Sequence, residues 1–247
     1  MRVSSSAVNV TVIVAGTDTH HDLYAAAGAL RDIVAEGGLP VQVAVGLRRF
    51  VDPMPVTAET DVFVVYTAGS DLPADEQDAL RDLVASGRGL VAVHASSVVL
   101  DGEQDAWSRL IGCRYASHDP SGLSEGRIAV RVGEHPITTA LDDFEVEDEY
   151  YVTTVAADAD VVAEHRLTDG RWVPALVTRT EGEGRVVCTT LGHDGRAWFN
   201  PWFRQLLRQA VVWAGGADPA AETRTWSTRF PLGNGRHVVA PGSGGAS

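Results

Sequence analysis

Short apolar runs alternate with helical patterns through the first hundred residues, and this alternation restricts the fold more than any other feature of the chain. The predicted strands read VNVTVIVAG, VQVAVGL, TDVFVVYTAG and LVAVHAS, interleaved with the helical segments HDLYAAAGALRDIVAEGG and LPADEQDALRDLVASGRG. Strands that are apolar throughout are typical of a parallel sheet covered on both faces. We therefore predict an α/β fold with a doubly wound, mostly parallel sheet and helices on both faces, of the flavodoxin-like type.

The second half of the chain predicts strands of mixed direction and one closing helix. The strands are GRIAVRVG, YYVTTV, DVVAEHRL, VPALVTRT and GRVVCTTLGHD, and the helix is WFRQLLRQAVVWAGG, which ends at two glycines. After Ala217 the sequence becomes polar and rich in proline and glycine. We therefore expect one α/β domain over residues 1–217 and a partly mobile C-terminal extension over residues 218–247.

Net charge and the distribution of apolar residues disfavour several classes of partner. The 247 residues carry a formal net charge of −13, which repels nucleic acid and anionic membrane surfaces. No apolar stretch approaches the roughly 18 residues needed to span a bilayer, and the N-terminus lacks the pattern of a secretory signal. These observations predict a cytoplasmic protein whose partner is a small molecule. A homodimer is the assembly that such sheets often form.

The two cysteines, Cys113 and Cys188, have neither CxxC nor zinc-type spacing. A chain of this length does not need a disulfide to be stable. We expect both thiols to be reduced and unpaired, Cys188 inside a strand and Cys113 in a loop after a helix.

Several histidines lie immediately after the ends of predicted strands. His20 and His21 follow the first strand, His94 follows GLVAV, and His193 follows VVCTTLG. Because the carboxyl ends of parallel strands meet at one edge of a sheet, these side chains are expected to converge there. Imidazoles at such an edge suit a divalent metal or general acid–base catalysis. For each histidine taken singly, a capping or hydrogen-bonding role is the alternative.

Other polar residues lie away from these strand ends. His118 in CRYASHDP and His135 in GEHPIT are expected in loops, and His135 is expected to fix the turn before its proline. His165 and His237 are expected at the surface. The run EVEDEYY is a solvated acidic face unless its tyrosines mark the entry to a partly buried strand.

Six stretches in order, GTDTHHD, GRGLVAVHAS, WSRLIGCRYASHDP, EHPIT, DEYY and GEGRVVCTTLGHD, resemble the ThuA-like (trehalose utilisation) family over about residues 10–215. That family resembles a branch of the class I glutamine amidotransferase-like fold. The resemblance implies that His94 occupies the strand-to-helix elbow where amidotransferases carry a nucleophilic cysteine. Because an imidazole has no thiolate chemistry, we expect no glutaminase activity.

The resemblance also implies a set of site residues. The matching motifs assign His21, Asp22, His94, His118, Asp148, Glu149 and His193 to the site. Catalytic roles are expected for His94, Asp148, Glu149 and His193, and metal ligation for His21, His94 and His118. Asp22 and the aromatic residues Tyr150, Tyr151 and Trp107 are expected to contact substrate, with packing in the core as the alternative for the aromatic rings.

The expected function is that of an enzyme acting on a sugar or an oxidised (3-keto) glycoside by elimination, hydration or isomerisation. Metal- or histidine-assisted acid–base chemistry would carry this reaction, with zinc, manganese or nickel as the cation. A dinucleotide is not expected, because VAGTDTHHD has one glycine in place of GxGxxG. Two alternatives stay open: a non-catalytic sugar-binding protein, and an enzyme of specialised metabolism acting on another polyol or keto substrate.

Overall fold

A computed structural model describes residues 8–52, 55–68, 72–98 and 105–220 of the chain. The part of the predicted extension after residue 220, which includes His237, lies outside these described residues. The strands are β1 (Val10–Gly16), β2 (Val41–Val45), β3 (Val62–Ala68), β4 (Gly89–Val93), β5 (Cys113–His118), β6 (Glu125–Val132), β7 (Phe144–Glu149), β8 (Tyr151–Val155), β9 (Asp160–Arg166), β10 (Trp172–Glu181) and β11 (Gly184–Thr189). The helices are α1 (Leu23–Glu36), α2 (Pro55–Glu59), α3 (Ala74–Ala85), α4 (Asp105–Ile111), α5 (Gly195–Trp198) and α6 (Pro201–Ala214).

Within the described residues, nine strands form one mixed sheet in the order β2-β1-β3-β4-β11-β10-β9-β6-β7. The pairings from β2 to β11 are parallel, and those from β11 to β7 are antiparallel. Strands β5 and β8 form a separate antiparallel ribbon. The predicted α/β fold is therefore confirmed, and the sheet is mixed because antiparallel neighbours need no crossover helix between them.

Helices cover both faces of the parallel half of this sheet. Helices α1 and α6 pack into one apolar core together with Val12 and Val14, whereas α3 and α4 pack into the other together with Ile13. Alternate residues of β1 therefore enter opposite cores, as the two-residue period of a strand requires. No helix within the described residues has the length and apolar character to cross a membrane.

Local sequence signals explain where the two long helices begin and end. The Asp22 carboxylate accepts a hydrogen bond from the backbone of Ala25 and caps α1. The Asn200 side chain caps α6 in the same way, and Pro201 occupies the first helical position. The α1 helix ends at Gly37, just before Gly38, which has a φ of 73°. Because β1 ends at Gly16, only a short loop separates it from Asp22, and this cap fixes the far end of that loop at the edge of the sheet.

Three sequence expectations are wrong. Cys113 and His118 are the two ends of β5 and do not lie in loops. The sequence CRYASH is polar and does not show the apolar pattern by which the other strands were predicted. His165 is fully buried, and a hydrogen bond from its Nε2 to the carbonyl oxygen of Tyr151, 2.8 Å away, offsets part of the cost of burying the ring. The acidic run is not among these three: it forms β7, the partly buried strand that its tyrosines indicated as the alternative, in which Asp148 is buried with the apolar side chains and the glutamates Glu145 and Glu147 are exposed.

The two cysteine side chains lie together in the core that contains α3 and α4. Both thiols are free and buried, Cys188 within β11 as expected. Interaction between the two thiols lowers the pKa of Cys113 and raises that of Cys188. Their burial removes both from solvent in the folded chain.

Candidate functional site

A strained turn at the end of β4 carries His94. The residue is fully buried and has a φ of 50°, in the left-handed region that costs a residue with a Cβ about 1–2 kcal/mol. Ser96 ties the turn to β3, because its Oγ donates to the carbonyl oxygen of Val65 and accepts from the backbone N–H of Thr67. Strain of this kind collects at functional sites, where the surrounding structure holds it in place.

A backbone carbonyl fixes the proton on the His94 ring. Nδ1 lies 2.7 Å from the carbonyl oxygen of Thr190, which can only accept a hydrogen bond, so Nδ1 carries the proton. The Nε2 lone pair therefore points away from Thr190. It lies 3.1 Å from Nδ1 of His193 and 3.2 Å from Oε2 of Glu149.

The loop after β1 orients His21 in the same way. Gly16 has a φ of 122°, and a Cβ there would lie 1.9 Å from the carbonyl oxygen of Ala68, so only glycine allows this exit from the strand. The loop then brings the Asp18 carboxylate within 2.6 Å of Nδ1 of His21. Since the carboxylate accepts, Nε2 of His21 keeps its lone pair, and this buried atom has no hydrogen-bond partner among the described residues.

Strand β7 supplies two carboxylates with different surroundings. Asp148 is buried and accepts hydrogen bonds from the backbone N–H groups of Glu149, Gly192 and His193. Burial raises the pKa of Asp148, although the charge of His94 and these hydrogen bonds oppose the rise. Burial also raises the pKa of Glu149, but its interaction with His94, whose Nε2 lies 3.2 Å from Oε2, outweighs burial and lowers that pKa to about 2.

Two of the imidazoles and Glu149 favour the protonation states that metal ligands need. Burial, together with the neighbouring His94, lowers the pKa of both His21 and His193, which favours their neutral form. A neutral imidazole and an ionised carboxylate are the forms that bind a cation. His21, His94, Glu149 and His193 each offer one ligand atom, and these four atoms all lie within 4.8 Å of one another.

Most of the expected site residues surround this cluster of four. His118 is outside it; its Nε2 lies 3.5 Å from Oε1 of Glu149, whereas Nε2 of His94 lies near the other carboxylate oxygen, Oε2. Asp22 is engaged as the cap of α1. His20 is exposed and donates its backbone N–H to Asp18. His135 accepts from the backbone N–H of Ile137 and fixes its turn.

The aromatic candidates divide between the site and the core. Tyr151 is buried and stacks on His94, with ring centroids 4.6 Å apart. The Tyr150 hydroxyl donates to the carbonyl oxygen of Arg127, and the buried indole of Trp107 donates to the carbonyl oxygen of Ser96. Tyr150 and Trp107 therefore support the surrounding backbone, and Tyr151 contacts the histidine cluster.

Sequence reasoning missed several residues that shape the site. Asp18 lies three residues before His21, and this carboxylate–histidine spacing was a usable signal. Tyr66 is buried, and its hydroxyl donates to the carbonyl oxygen of His193. Thr190 acts through its backbone carbonyl, and Tyr115 through a hydroxyl 2.7 Å from Nδ1 of His118. A backbone contact leaves no signal in side-chain identity.

Comparison with known proteins places these residues in a family context. The ThuA profile, described as trehalose utilisation, matches residues 9–214. A solved ThuA-like protein from Parabacteroides merdae is 17% identical, with a TM-score of 0.71 over 85% of this chain and 91% of that chain. A second, from Bacteroides uniformis, is 15% identical, with a TM-score of 0.67 over 89% and 98%.

A cytoplasmic protein from Salmonella typhimurium also shares the fold, at 12% identity and a TM-score of 0.60 over 83% of this chain and 98% of that chain. Among curated proteins, no relative matches the sequence. At these identities the solved structures support the fold alone. The family match covers most of the chain, and the chain therefore belongs to the ThuA (trehalose utilisation) family.

Proposed function

We propose that this chain is a metal-dependent enzyme that acts on a sugar or an oxidised (3-keto) glycoside by acid–base chemistry, without glutaminase activity. The observation that carries the proposal is the convergence of ligand atoms from His21, His94, Glu149 and His193 within 4.8 Å of one another. Three imidazoles and a carboxylate suit zinc, manganese or nickel.

The orientation of two of these imidazoles supports a cation in particular. Metal-bound histidines characteristically donate their second ring N–H to a carboxylate or a backbone carbonyl. The Nδ1 atoms of His21 and His94 face Asp18 and the Thr190 carbonyl in this manner. Nε2 of His21, Oε2 of Glu149 and Nε2 of His118 are buried without hydrogen-bond partners among the described residues. A cation between the four ligand atoms would satisfy the first two, and Nε2 of His118 stays available to a bound substrate.

The remaining chemistry belongs to the residues around the cluster. A bound divalent cation polarises a carbonyl or hydroxyl oxygen. Asp148 holds the backbone at His193, and the Tyr151 ring covers His94 and excludes water from it. The side chains of Glu149 and His193 are each 15% exposed, so the substrate approaches the cluster from their side. His118 lies at this entrance, next to Glu149.

The position of His94 explains why amidotransferase chemistry is not proposed. We infer that β1 to β4 and their helices form the doubly wound half of an amidotransferase-like fold, with His94 at its nucleophile elbow. Nε2 of His94 faces two other ring or carboxylate atoms of the cluster. It is a ligand or a proton-transfer group there, because imidazole cannot replace a thiolate in amide transfer.

Location and assembly follow from the same reasoning. We propose a cytoplasmic protein, in keeping with the net charge of −13 and with the cytoplasmic Salmonella typhimurium protein that shares its fold. The proposed partners are a sugar-like small molecule and, in a homodimer, a second copy of the chain. Nucleic acid and membrane surfaces are not proposed as partners.

The test combines elemental analysis with a turnover assay. Purified full-length chain would be loaded with Zn²⁺, Mn²⁺ or Ni²⁺ and incubated with glucose, trehalose and their 3-keto derivatives, with products followed by NMR. We expect one divalent ion per chain and turnover of a keto sugar. His21→Gln and His94→Gln should lose both, and His20→Gln is the matched control because His20 is exposed and outside the cluster.

Each negative result has a distinct meaning. Sugar binding without turnover under any of the three metals would support a non-catalytic binding protein. Turnover restricted to another polyol or keto compound would support an enzyme of specialised metabolism. Retention of activity in metal-free protein, with loss in His94→Gln, would contradict the metal and leave His94 as an acid, a base or a substrate contact.

A further inference from the structure

A β-bulge in the ribbon places two side chains on one face. In the β5–β8 pairing, Tyr115 lies opposite Thr153 and His118 lies opposite Tyr151, and the register shifts between Tyr115 and Ser117. Thr153 and Tyr151 are two residues apart and share a face of β8. Because the bulge inserts one extra residue into β5, Tyr115 and His118 share that face as well, although residues three apart in a regular strand do not.

The bulge brings the Tyr115 hydroxyl to the ring of His118. Oη of Tyr115 lies 2.7 Å from Nδ1 of His118, and both rings contact Tyr151, with centroid separations of 4.7 Å and 5.3 Å. Tyr151 in turn stacks on His94. His118 is therefore held beside the cluster of four ligand residues by contacts with two aromatic side chains.

The surroundings of the His118 ring favour a proton on Nε2. Nε2 lies 3.5 Å from Oε1 of Glu149, and a carboxylate attracts an N–H and repels a lone pair. Nδ1 then keeps its lone pair and accepts from the Tyr115 hydroxyl, which can donate. This is the opposite of His21 and His94, in which Nδ1 donates and the Nε2 lone pair faces the cluster.

We propose that Tyr115 is a positioning residue that holds His118 with its proton on Nε2, so that His118 donates a hydrogen bond to a substrate oxygen and does not ligate the metal. The ligand class is a compound with a hydroxyl or carbonyl oxygen next to the oxygen that the cation holds, as in a polyol or a keto sugar. The inference rests on the proposed function, because it assigns His118 a role in the same site.

The tautomer can be measured directly. Proton–nitrogen correlation spectra of isotopically labelled, zinc-loaded, full-length protein distinguish the two ring tautomers, and the signal that disappears in His118→Gln assigns His118. We expect Nε2–H in the wild type and a mixture of both tautomers in Tyr115→Phe. Tyr24→Phe is the matched control, because Tyr24 is 84% exposed. A wild-type Nδ1–H tautomer, or a tautomer unaffected by Tyr115→Phe, would overturn the proposal.

Zinc content provides the second readout. His118→Gln and Tyr115→Phe should bind zinc as the wild type does, whereas His94→Gln should lose it. Loss of zinc in His118→Gln would make His118 a ligand and overturn the inference. If the wild type itself bound no zinc, the proposed metal site would fail, and the spectra recorded without zinc would still decide the tautomer of His118.

Discussion

The carboxylate of Asp148 accepts the backbone N–H of His193 at 3.1 Å and ties the edge strand β7 to the loop that follows the central strand β11. The same carboxylate accepts the N–H of Gly192 at 2.6 Å. One side chain therefore satisfies two neighbouring backbone N–H groups. The position of the His193 ring therefore depends on a residue whose own side chain is turned away from solvent.

Asp148→Asn tests this dependence. An amide offers one acceptor oxygen and a poorly placed NH₂ group, so one buried N–H loses its partner at a cost of about 1–3 kcal/mol. We expect that loss in urea denaturation of metal-free protein, and a zinc affinity about 10–100-fold weaker in titration calorimetry. Glu147→Gln, on the exposed face of β7, is the control and should match the wild type. Wild-type zinc affinity in Asp148→Asn would show that this bond does not position His193.

Chelation tests whether bound zinc stabilises the folded protein. Because a ligand that binds only the folded state stabilises it by mass action, EDTA should lower the Tm of zinc-loaded wild-type protein. The Tm of His94→Gln should be the same with and without EDTA. An equal effect of EDTA on both proteins in differential scanning calorimetry would place the bound zinc elsewhere.

The left-handed backbone at His94 predicts that glycine at this position is more stable than alanine, although neither residue can bind zinc. Glycine accepts a φ of 50° without penalty, whereas alanine carries the same Cβ strain as histidine. We therefore expect His94→Gly to be more stable than His94→Ala by about 1 kcal/mol in denaturant titrations, less any extra chain entropy of glycine. Neither variant should bind zinc. A glycine variant less stable than the alanine variant would contradict left-handed strain at this position.

Asp119 predicts a loss of stability in acid. Its carboxylate accepts from the backbone N–H groups of Ser121 and Thr168, and although burial opposes it, this hydrogen bonding lowers its pKa well below the usual range. A carboxyl with a lowered folded-state pKa stabilises the fold above its unfolded pKa of about 4, and this contribution is lost as pH falls below that value. Asp119→Asn should thus be less stable than the wild type at pH 7. The difference should shrink in urea titrations below about pH 4, and a constant difference would oppose the assignment.

Thiol titration tests the state of the cysteines. Cys113 and Cys188 lie in the same buried core. We expect two free thiols per chain when protein purified without reductant is unfolded and titrated, and slow reaction of both in the folded protein because they are buried. Finding no free thiols in the unfolded chain would show that the pair oxidises to a disulfide.

The parallel half of the sheet was predictable because its strands are apolar on both faces. In β3 every residue is buried, and no alternation confuses the pattern. Strand β5 was not predictable, because it lies in a two-stranded ribbon outside the main sheet and its sequence is polar. Strand β7 alternates the buried apolar residues Phe144 and Val146 with acids, and the burial of Asp148, which continues this alternation, has no signal in residue type.

The candidate site was predictable to the extent that it depends on strand ends. His21, His94 and His193 follow β1, β4 and β11, and parallel pairing brings those ends together. The position of His118 depends on a bulge, and the ring orientation of His94 depends on a backbone carbonyl. Both are set by the path of the chain and leave no mark in residue type.

The place of β11 in the sheet has a consequence for biosynthesis. Of the strands in the described residues this is the last in sequence, yet it lies between β4 and β10 in the middle of the sheet. A ribosome-bound chain that lacks it cannot join the parallel half to the antiparallel half, and it presents His21 and His94 without His193. Long-range pairing of this kind is slow to form. At the proposed metal site, a cation would therefore find all four ligands only after β11 has been synthesised and has paired with β4.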